Sequence, residues 1–128
     1  MNVYEEHLCR KLNKLPGFRY DDIKELDKYP EETAASVLKT LLLLACQAQN
    51  EANIILGRNK ILEINYSWLK LHIIETAERC LDLSDEWEYR RFLELIILAV
   101  PDLKESVLAL GENSENSEIR QAAEDFRD

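Results

Sequence analysis

Apolar residues recur at steps of three and four along most of the chain, the spacing that places side chains on one face of an α-helix. The pattern is strongest between Pro30 and Gly57. Within this stretch, residues 41–46 are almost entirely apolar, which is typical of a helix surrounded by other helices. We therefore expect the chain to be organised around a central helix. The apolar positions of its face are Ala34, Val37, Leu38, Leu41, Ala45, Ala48, Ala52 and Ile55.

The carboxyl end of this central helix has two interpretations. Gly57 could end it as a left-handed cap, followed by a loop over residues 58–60. Alternatively, the helix continues through Gly57, because apolar residues recur as far as Ile64. The second interpretation places a glycine inside a helix, which lowers helix stability by about 1 kcal/mol relative to alanine. We favour the longer helix over residues 31–64, with a break near Asn50 as a further alternative.

Shorter helices are predicted on both sides of the central one. Asn65 and Asp85 are polar residues suited to the N-cap position, and Glu88 completes a capping box with Asp85. Pro101 suits the first turn of another helix, and Gly111 ends it. The predicted helices cover about residues 2–14, a short segment opened by Asp21 or Asp22, and about residues 66–81, 86–100, 101–111 and 117–127.

This pattern indicates the fold class. Alternating strand patterns are absent, and the three glycines and three prolines are few for a β-sandwich or a disordered chain. A length of 128 residues fits one domain. We therefore predict an all-α, single-domain bundle over residues 1–128, with six or seven helices around a long central helix.

The same sequence features indicate a cytoplasmic protein. Lys39 and Gln47 interrupt the longest apolar stretch before it reaches a membrane-spanning length, and the first residues lack the apolar segment of a signal peptide. Cys9, Cys46 and Cys80 are odd in number and far apart. We expect them to be reduced thiols.

The last part of the chain carries a resemblance to a known family. Residues 101–126, PDLKESVLALGENSENSEIRQAAEDF, resemble a HEAT-type helical hairpin. In such repeats a first helix ends in leucines, a polar loop follows, and the second helix opens with a pattern like that from Asn116 to Ala123. The resemblance implies that Asn116 caps the second helix and that Arg120 reaches back over the loop. It also implies a binding scaffold, the general role of HEAT-like proteins.

The charge of the chain is unevenly distributed. The net charge is −9, and residues 82–128 hold 13 of the 25 acidic residues but 5 of the 16 basic ones. A protein that neutralised phosphates would have the opposite sign, so nucleic acids and anionic membranes are poor candidates for a ligand. A basic protein surface is a better candidate, although acids on solvated helices also keep a domain soluble.

Two clusters of acids in this last third suggest a binding surface. One surrounds Trp87 at the start of a predicted helix, and tryptophan is a frequent anchor at protein interfaces. The other cluster consists of glutamates that recur at every third residue after Gly111. If the C-terminal hairpin folds back on the first cluster, the two form one negative surface. The predicted partner-binding residues are Asp85, Glu86, Trp87, Glu88, Glu112, Glu115 and Glu118.

Patterns for catalysis or metal binding are scarce. His72, Glu75 and Arg79 share one helix face, but His-x-x-Glu reverses the Glu-x-x-His pattern of helical di-iron sites and has no second copy. The cysteines lack the C-x-x-C spacing of structural zinc sites, and there is no glycine-rich phosphate loop. We therefore expect no enzymatic activity, no metal and no cofactor.

Together these features favour a non-enzymatic protein that binds another protein through its acidic C-terminal third. One specific form is a bacterial immunity-type protein that neutralises a basic toxin, such as a nuclease. The alternative is a helical scaffold or adaptor without an inhibitory role, self-associating through apolar surface. A third class, a metal-dependent helical enzyme, would use His72 and Glu75. The sequence predicts no oligomeric state.

Overall fold

The computed structural model describes residues 1–127. Over this range the chain forms α-helices and two 3-10 segments and no β-strand, which confirms the predicted all-α helical bundle. The helices are α1 (Val3–Asn13), α2 (Glu31–Gln47), α3 (Glu51–Leu62), α4 (Tyr66–Cys80), α5 (Glu86–Ala99), α6 (Lys104–Glu112) and α7 (Ser117–Phe126), and the 3-10 segments are Tyr20–Lys28 and Pro101–Leu103.

The long central helix over residues 31–64 is not confirmed, because the helix is interrupted between α2 and α3. The Asn50 side chain accepts hydrogen bonds from the backbone N–H groups of Ala52, at 2.8 Å, and Asn53, at 3.3 Å. This cap begins a separate helix, α3. The interruption lies near Asn50, the position at which the sequence allowed a break as an alternative. The helix does pass through Gly57, which lies inside α3.

The core is one cluster of buried side chains to which all seven α-helices contribute. Helix α2 lies at its centre, since it packs against α3, α4 and α5. The central role predicted for this segment therefore holds, although the helix is shorter than expected. Its buried residues are Ala34, Val37, Leu38, Leu41, Leu42, Ala45 and Cys46.

Gly57 marks the closest approach of α3 to α2. A Cβ atom at this position would lie 2.8 Å from the backbone nitrogen of Ala45 and 3.0 Å from the carbonyl oxygen of Leu41. Backbone atoms in a packed helix cannot move aside for a side chain. The close contact between the two helices therefore offsets the low helix propensity of glycine.

Helices α6 and α7 form a hairpin that packs against α5. Gly111 allows this packing, since a Cβ atom there would overlap the Tyr89 side chain of α5. The Tyr89 hydroxyl donates a hydrogen bond of 2.8 Å to the backbone carbonyl of Val107 in α6. Burial raises the pKa of Tyr89 to about 12, so the hydroxyl remains a donor across the neutral range.

Within residues 1–127, none of the helices combines the length and the apolar character that crossing a membrane requires.

Candidate protein-binding site

Two turns of the bundle meet and form the site. One joins α4 to α5 over residues 81–85, and the other joins α6 to α7 over residues 113–116. The side-chain nitrogen of Asn116 donates a hydrogen bond of 3.2 Å to the backbone carbonyl of Ser84. The C-terminal hairpin therefore does fold back on the start of α5, which is the condition for a shared surface.

Acidic side chains build the α4–α5 turn by accepting local hydrogen bonds. Asp82 accepts from the backbone N–H of Ser84, at 3.0 Å, and from its hydroxyl, at 2.5 Å. Asp85 caps α5 by accepting from the backbone N–H of Glu88, at 3.0 Å. The hydrogen bond from the Ser84 hydroxyl lowers the pKa of Asp82. The turn thus holds two carboxylates in fixed positions, and neither has a basic partner within residues 1–127.

The α6–α7 turn has a similar construction. Asn116 caps α7 by accepting a hydrogen bond of 2.9 Å from the backbone N–H of Glu118. Arg120 Nη1 donates a hydrogen bond of 2.8 Å to the carbonyl of Ser114, which is the contact over the loop that the HEAT resemblance implied. Arg120 forms no ion pair with Glu115 or Glu118 within residues 1–127, and both carboxylates are exposed.

A hollow of about 290 Å³ opens between the two turns. Its walls are mostly apolar and come from α4, α5, α6, α7 and the α4–α5 turn. Glu78, Ser84 and Ser114 add polar atoms, and Glu78 is exposed. The apolar wall residues are Leu81, Leu83, Tyr89, Leu110 and Ile119.

Two of the predicted partner-binding acids are engaged in ion pairs within the fold. Glu86 pairs with Arg90 at 3.0 Å, and the same arginine holds Asp125 of α7 at 2.8 Å. Glu112 pairs with Arg127 at 2.7 Å. These carboxylates help to hold the hairpin together and to fix it on α5, so part of their charge is already neutralised.

Glu88 and Trp87 also have other contacts. Glu88 accepts hydrogen bonds from the Gln47 side chain, at 2.8 Å, and from the backbone N–H of Asp82, at 3.0 Å. Trp87 does not line the hollow. Its ring lies beneath the guanidinium of Arg91, whose central carbon is 4.1 Å from the ring centroid. Trp87 therefore belongs to a different surface from the acids of the two turns.

The remaining predicted acids lie in or beside the two turns that flank the hollow. Asp85, Glu115 and Glu118 each stand next in sequence to a residue of its wall. Leu83 and Leu110 were not among the predicted site residues, and the structure leaves Leu110 exposed. A signal for Leu83 was present, since it is an apolar residue within an otherwise polar turn. The partner-binding role of all these residues remains a prediction.

A second and larger groove, of about 540 Å³, lies between α2 and α4. It includes the helix face with His72, Glu75 and Arg79. The imidazole of His72 packs on Trp68, with 4.5 Å between ring centroids, and Glu75 pairs with Arg79 at 2.6 Å. Glu31, Glu32 and Lys39 also line the groove. Because the groove is lined by both acidic and basic side chains, its charge favours neither an anionic nor a cationic ligand.

The chemistry of metal and thiol sites is not favoured by the arrangement of side chains. Among residues 1–127, no group of three or more His, Cys, Asp or Glu side chains is placed to hold a metal ion. Burial raises the pKa of Cys46 to about 12 and also raises that of Cys80. Both thiols are therefore protonated at neutral pH and are weak nucleophiles.

Comparison of the chain with protein-family models, with curated proteins and with solved structures gave no match. The resemblance of residues 101–126 to a HEAT hairpin therefore remains a prediction, and the proposal of a function rests on the geometry of the two turns.

Proposed function

We propose that the chain is a non-enzymatic protein-binding domain that recognises a basic partner protein. The binding site is the acidic turn surface, which consists of the hollow between the two turns and the carboxylates around it. The observation that carries this proposal is an apolar hollow that is lined by one exposed acid and flanked in sequence by four more, none of which has a basic partner in the described part of the chain. These acids are Glu78, Asp82, Asp85, Glu115 and Glu118.

The arrangement suits a lysine or arginine side chain of the partner. Such a side chain has an apolar stem and a charged head, so its stem packs against Leu83 and Leu110 while its head meets a carboxylate such as Glu78. The surrounding charges steer a basic protein towards the site and raise its association rate. Carboxylates repel the phosphates of nucleic acids and anionic lipids, so we propose neither as the ligand.

In its most specific form, the proposal is a bacterial immunity-type protein in the cytoplasm that neutralises a basic toxin. The clustered acids support this form, and a toxin-like gene immediately upstream would support it further. In the same proposal the α6–α7 hairpin is HEAT-like, which the Arg120–Ser114 contact supports. The alternative, a helical scaffold or adaptor, is supported by exposed apolar side chains on α3 and α5.

Affinity capture at low salt tests the acidic turn surface. Immobilised wild-type protein is compared with the double variant Glu115→Lys, Glu118→Lys and with the control Asp21→Lys, Asp27→Lys. Each double variant changes the net charge from −9 to −5. The control residues are exposed and lie in the Tyr20–Lys28 segment, which packs on α1 and α2.

The basic protein captured by wild type should be retained by the control and lost by the Glu115, Glu118 variant. Equal loss in both variants would assign capture to net charge alone. Equal retention in both would remove the two turns from the interface. Either result contradicts the proposed site, provided that circular dichroism shows both variants folded.

The non-enzymatic part of the proposal has its own test. Glu75 is engaged by Arg79 and His72 packs on Trp68, so both side chains have structural contacts. Elemental analysis of the purified protein should find no stoichiometric zinc, iron or manganese. His72→Ala should reduce the free energy of unfolding by about 1 kcal/mol or less. A tightly held metal that disappears in this variant would favour the enzyme class.

A further inference from the structure

A third cavity, of about 230 Å³, is lined by α1, α2 and α3, and we call it the N-terminal cavity. The wall residues from α1 have the spacing i, i+3, i+4 and i+7, and those from α2 have the spacing i, i+3 and i+4, so each set lies on one side of its helix. Three helices thus converge on one concave site, a common place for ligands in helical bundles. The wall residues are Tyr4, His7, Leu8, Lys11, Thr40, Leu43, Leu44 and Asn53.

The charge of the N-terminal cavity is opposite to that of the chain. The net charge of the chain is −9, but the wall of this cavity contains no Asp or Glu. In contrast, Glu78 lines the hollow between the two turns, and Glu75 lines the groove between α2 and α4. Lys11 is exposed and has no ion pair within residues 1–127. A negative group of a ligand therefore meets a local positive charge here.

The acids closest in sequence to the wall do not engage this lysine. Glu5 pairs with Lys60 at 3.3 Å, and Glu6 pairs with Arg10 at 3.8 Å. Glu51, in the first turn of α3, does not line the cavity. The positive charge in the wall therefore remains available to a ligand.

Unused hydrogen-bond donors lie on the α1 and α3 sides of the cavity. The Tyr4 hydroxyl accepts a hydrogen bond of 3.1 Å from the Asn50 side chain, and within residues 1–127 its own O–H has no acceptor. Over the same range the side-chain amide of Asn53 has no hydrogen bond, and Lys11 adds an ammonium group with three donors. On α2, the Thr40 hydroxyl already donates to a backbone carbonyl of its own helix, at 3.0 Å. An acceptor group therefore fits between α1 and α3.

The rest of the wall is apolar, and the volume of the cavity limits the size of a ligand. Leu8 is buried, and Leu43 and Leu44 are half-buried against the core. A cavity of about 150 Å³ accommodates benzene, so one of about 230 Å³ has room for a ring and a short arm. One ammonium group balances the single charge of a carboxylate, whereas a phosphate monoester carries nearly two charges.

We propose that the N-terminal cavity binds a small organic monocarboxylate with an apolar body, such as an arylalkanoate. The carboxylate accepts hydrogen bonds from the Lys11 ammonium and from the Tyr4 hydroxyl or the Asn53 amide. The apolar body packs against Leu43 and Leu44 of α2. This binding activity goes beyond the recognition of a basic protein and uses a different part of the bundle.

Titration of the isotope-labelled full chain with phenylacetate, followed by NMR, tests the proposal. We expect a dissociation constant on the order of 1 mM, as for other ligands of so few atoms. The side-chain amide signal of Asn53 should shift during the titration, whereas that of Asn113, in the α6–α7 turn, should not. Phenylacetamide is the matched neutral probe. It should bind about tenfold more weakly, because it lacks the charge that strengthens the hydrogen bond from Lys11.

A pair of lysine variants locates the charge that selects the ligand. Lys11→Met and the control Lys14→Met each change the net charge from −9 to −10. Lys14 is exposed at the end of the same helix and does not line the cavity. Lys11→Met should weaken phenylacetate binding about tenfold and remove the preference over phenylacetamide, and Lys14→Met should leave both unchanged. The amide spectrum of each variant shows whether it is folded.

The proposal is overturned if phenylacetate leaves the Asn53 side-chain signal unshifted. It is also overturned if phenylacetamide binds as tightly as phenylacetate, which would mean apolar adsorption only, or if the two lysine variants bind phenylacetate equally. These outcomes are distinct from failure of the proposed function, because the N-terminal cavity and the acidic turn surface share no residue.

Discussion

The bundle contains two helical hairpins, α2–α3 and α6–α7. They share the same kinds of local interaction but have different roles in the fold. In each, an asparagine caps the second helix, and a glycine allows a close contact. Each is also fixed to α5 by an ion pair, Arg58–Glu94 in the first and Arg90–Asp125 in the second. Local sequence signals therefore specify a hairpin but do not specify its role.

The two hairpins differ in what their glycines touch. Gly57 meets the backbone of α2, its own partner in the hairpin, whereas Gly111 meets Tyr89 of α5 and Ala123 of α7. The connecting segments also differ, since residues 48–50 have no ionisable side chain and Glu115 lies within residues 113–116. The α2–α3 hairpin forms the core, and the α6–α7 hairpin relies on α5 and presents charge to the solvent.

The largest expected difference is between two identical substitutions, one in each hairpin. Leu41→Ala empties a fully buried position of α2 and should reduce the free energy of unfolding by about 2 to 5 kcal/mol. Leu110→Ala changes an exposed wall residue of the hollow and should cost about 1 kcal/mol or less. Urea unfolding measures both. A cost below about 1 kcal/mol for Leu41→Ala would remove α2 from the centre of the core.

The glycines provide the next test. Alanine is a better helix former than glycine by about 1 kcal/mol, yet Gly57→Ala and Gly111→Ala should each destabilise the protein by about 1 to 3 kcal/mol through overpacking. Thermal unfolding of the two variants measures this effect. An increase in stability in either variant would show that the corresponding close contact is absent.

The two glycine variants should respond differently to a second change. Tyr89→Leu removes the side-chain atoms that block Gly111, so the double variant with Gly111→Ala should lose less stability than the two single changes added together. No side-chain truncation removes the backbone atoms of Ala45 and Leu41 that block Gly57. Simple additivity in the Tyr89–Gly111 cycle would contradict this explanation of Gly111.

The capping asparagines should have similar effects on stability and different effects on binding. Asn50→Ala and Asn116→Ala should each cost about 1 kcal/mol, the usual value for a lost cap. Only Asn116→Ala should also weaken capture of the partner, because it releases the α6–α7 turn from Ser84. Asn116→Asp separates the two effects, since it keeps the cap and removes the donor. Weaker capture by Asn50→Ala as well would indicate a general loss of structure.

The smallest effect concerns the ion pair that fixes α7 to α5. The hydrogen bond from Arg90 lowers the pKa of Asp125, so the pair stabilises the fold above the unfolded pKa, about 3.9. This stabilisation is lost as the pH falls through the lower folded value. NMR titration should show the pKa of Asp125 rising in Arg90→Gln and unchanged in the control Arg79→Gln. No change in Arg90→Gln would show that the pair does not form in solution.

The fold was largely predictable because its helices have strong local signals. Apolar spacing identified the helical segments, although it favoured a single helix where α2 and α3 are separate, and Asp85 caps α5 as predicted. The break between α2 and α3 was less predictable, since continued apolar spacing favoured one helix while the Asn50 cap favoured two. The packing role of Gly57 could not be predicted, because it depends on backbone atoms of another helix.

The candidate site was predictable only in part for the same reason. The acids were visible in the sequence, but their ion pairs and hydrogen bonds join residues that are distant along the chain, such as Arg90 and Asp125. Trp87 was grouped with the acids because it is their neighbour in sequence. In the structure it lies instead beneath Arg91, one helical turn further along α5.

The most direct test of the acidic turn surface is the association rate of the captured partner, measured by stopped flow at several salt concentrations. The rate should fall as salt increases, because screening weakens steering between exposed charges. It should be slower, and depend less on salt, in Glu115→Lys, Glu118→Lys than in the control Asp21→Lys, Asp27→Lys. An association rate that is indifferent to both salt and the Glu115, Glu118 reversal would show that these acids serve solubility and do not guide binding.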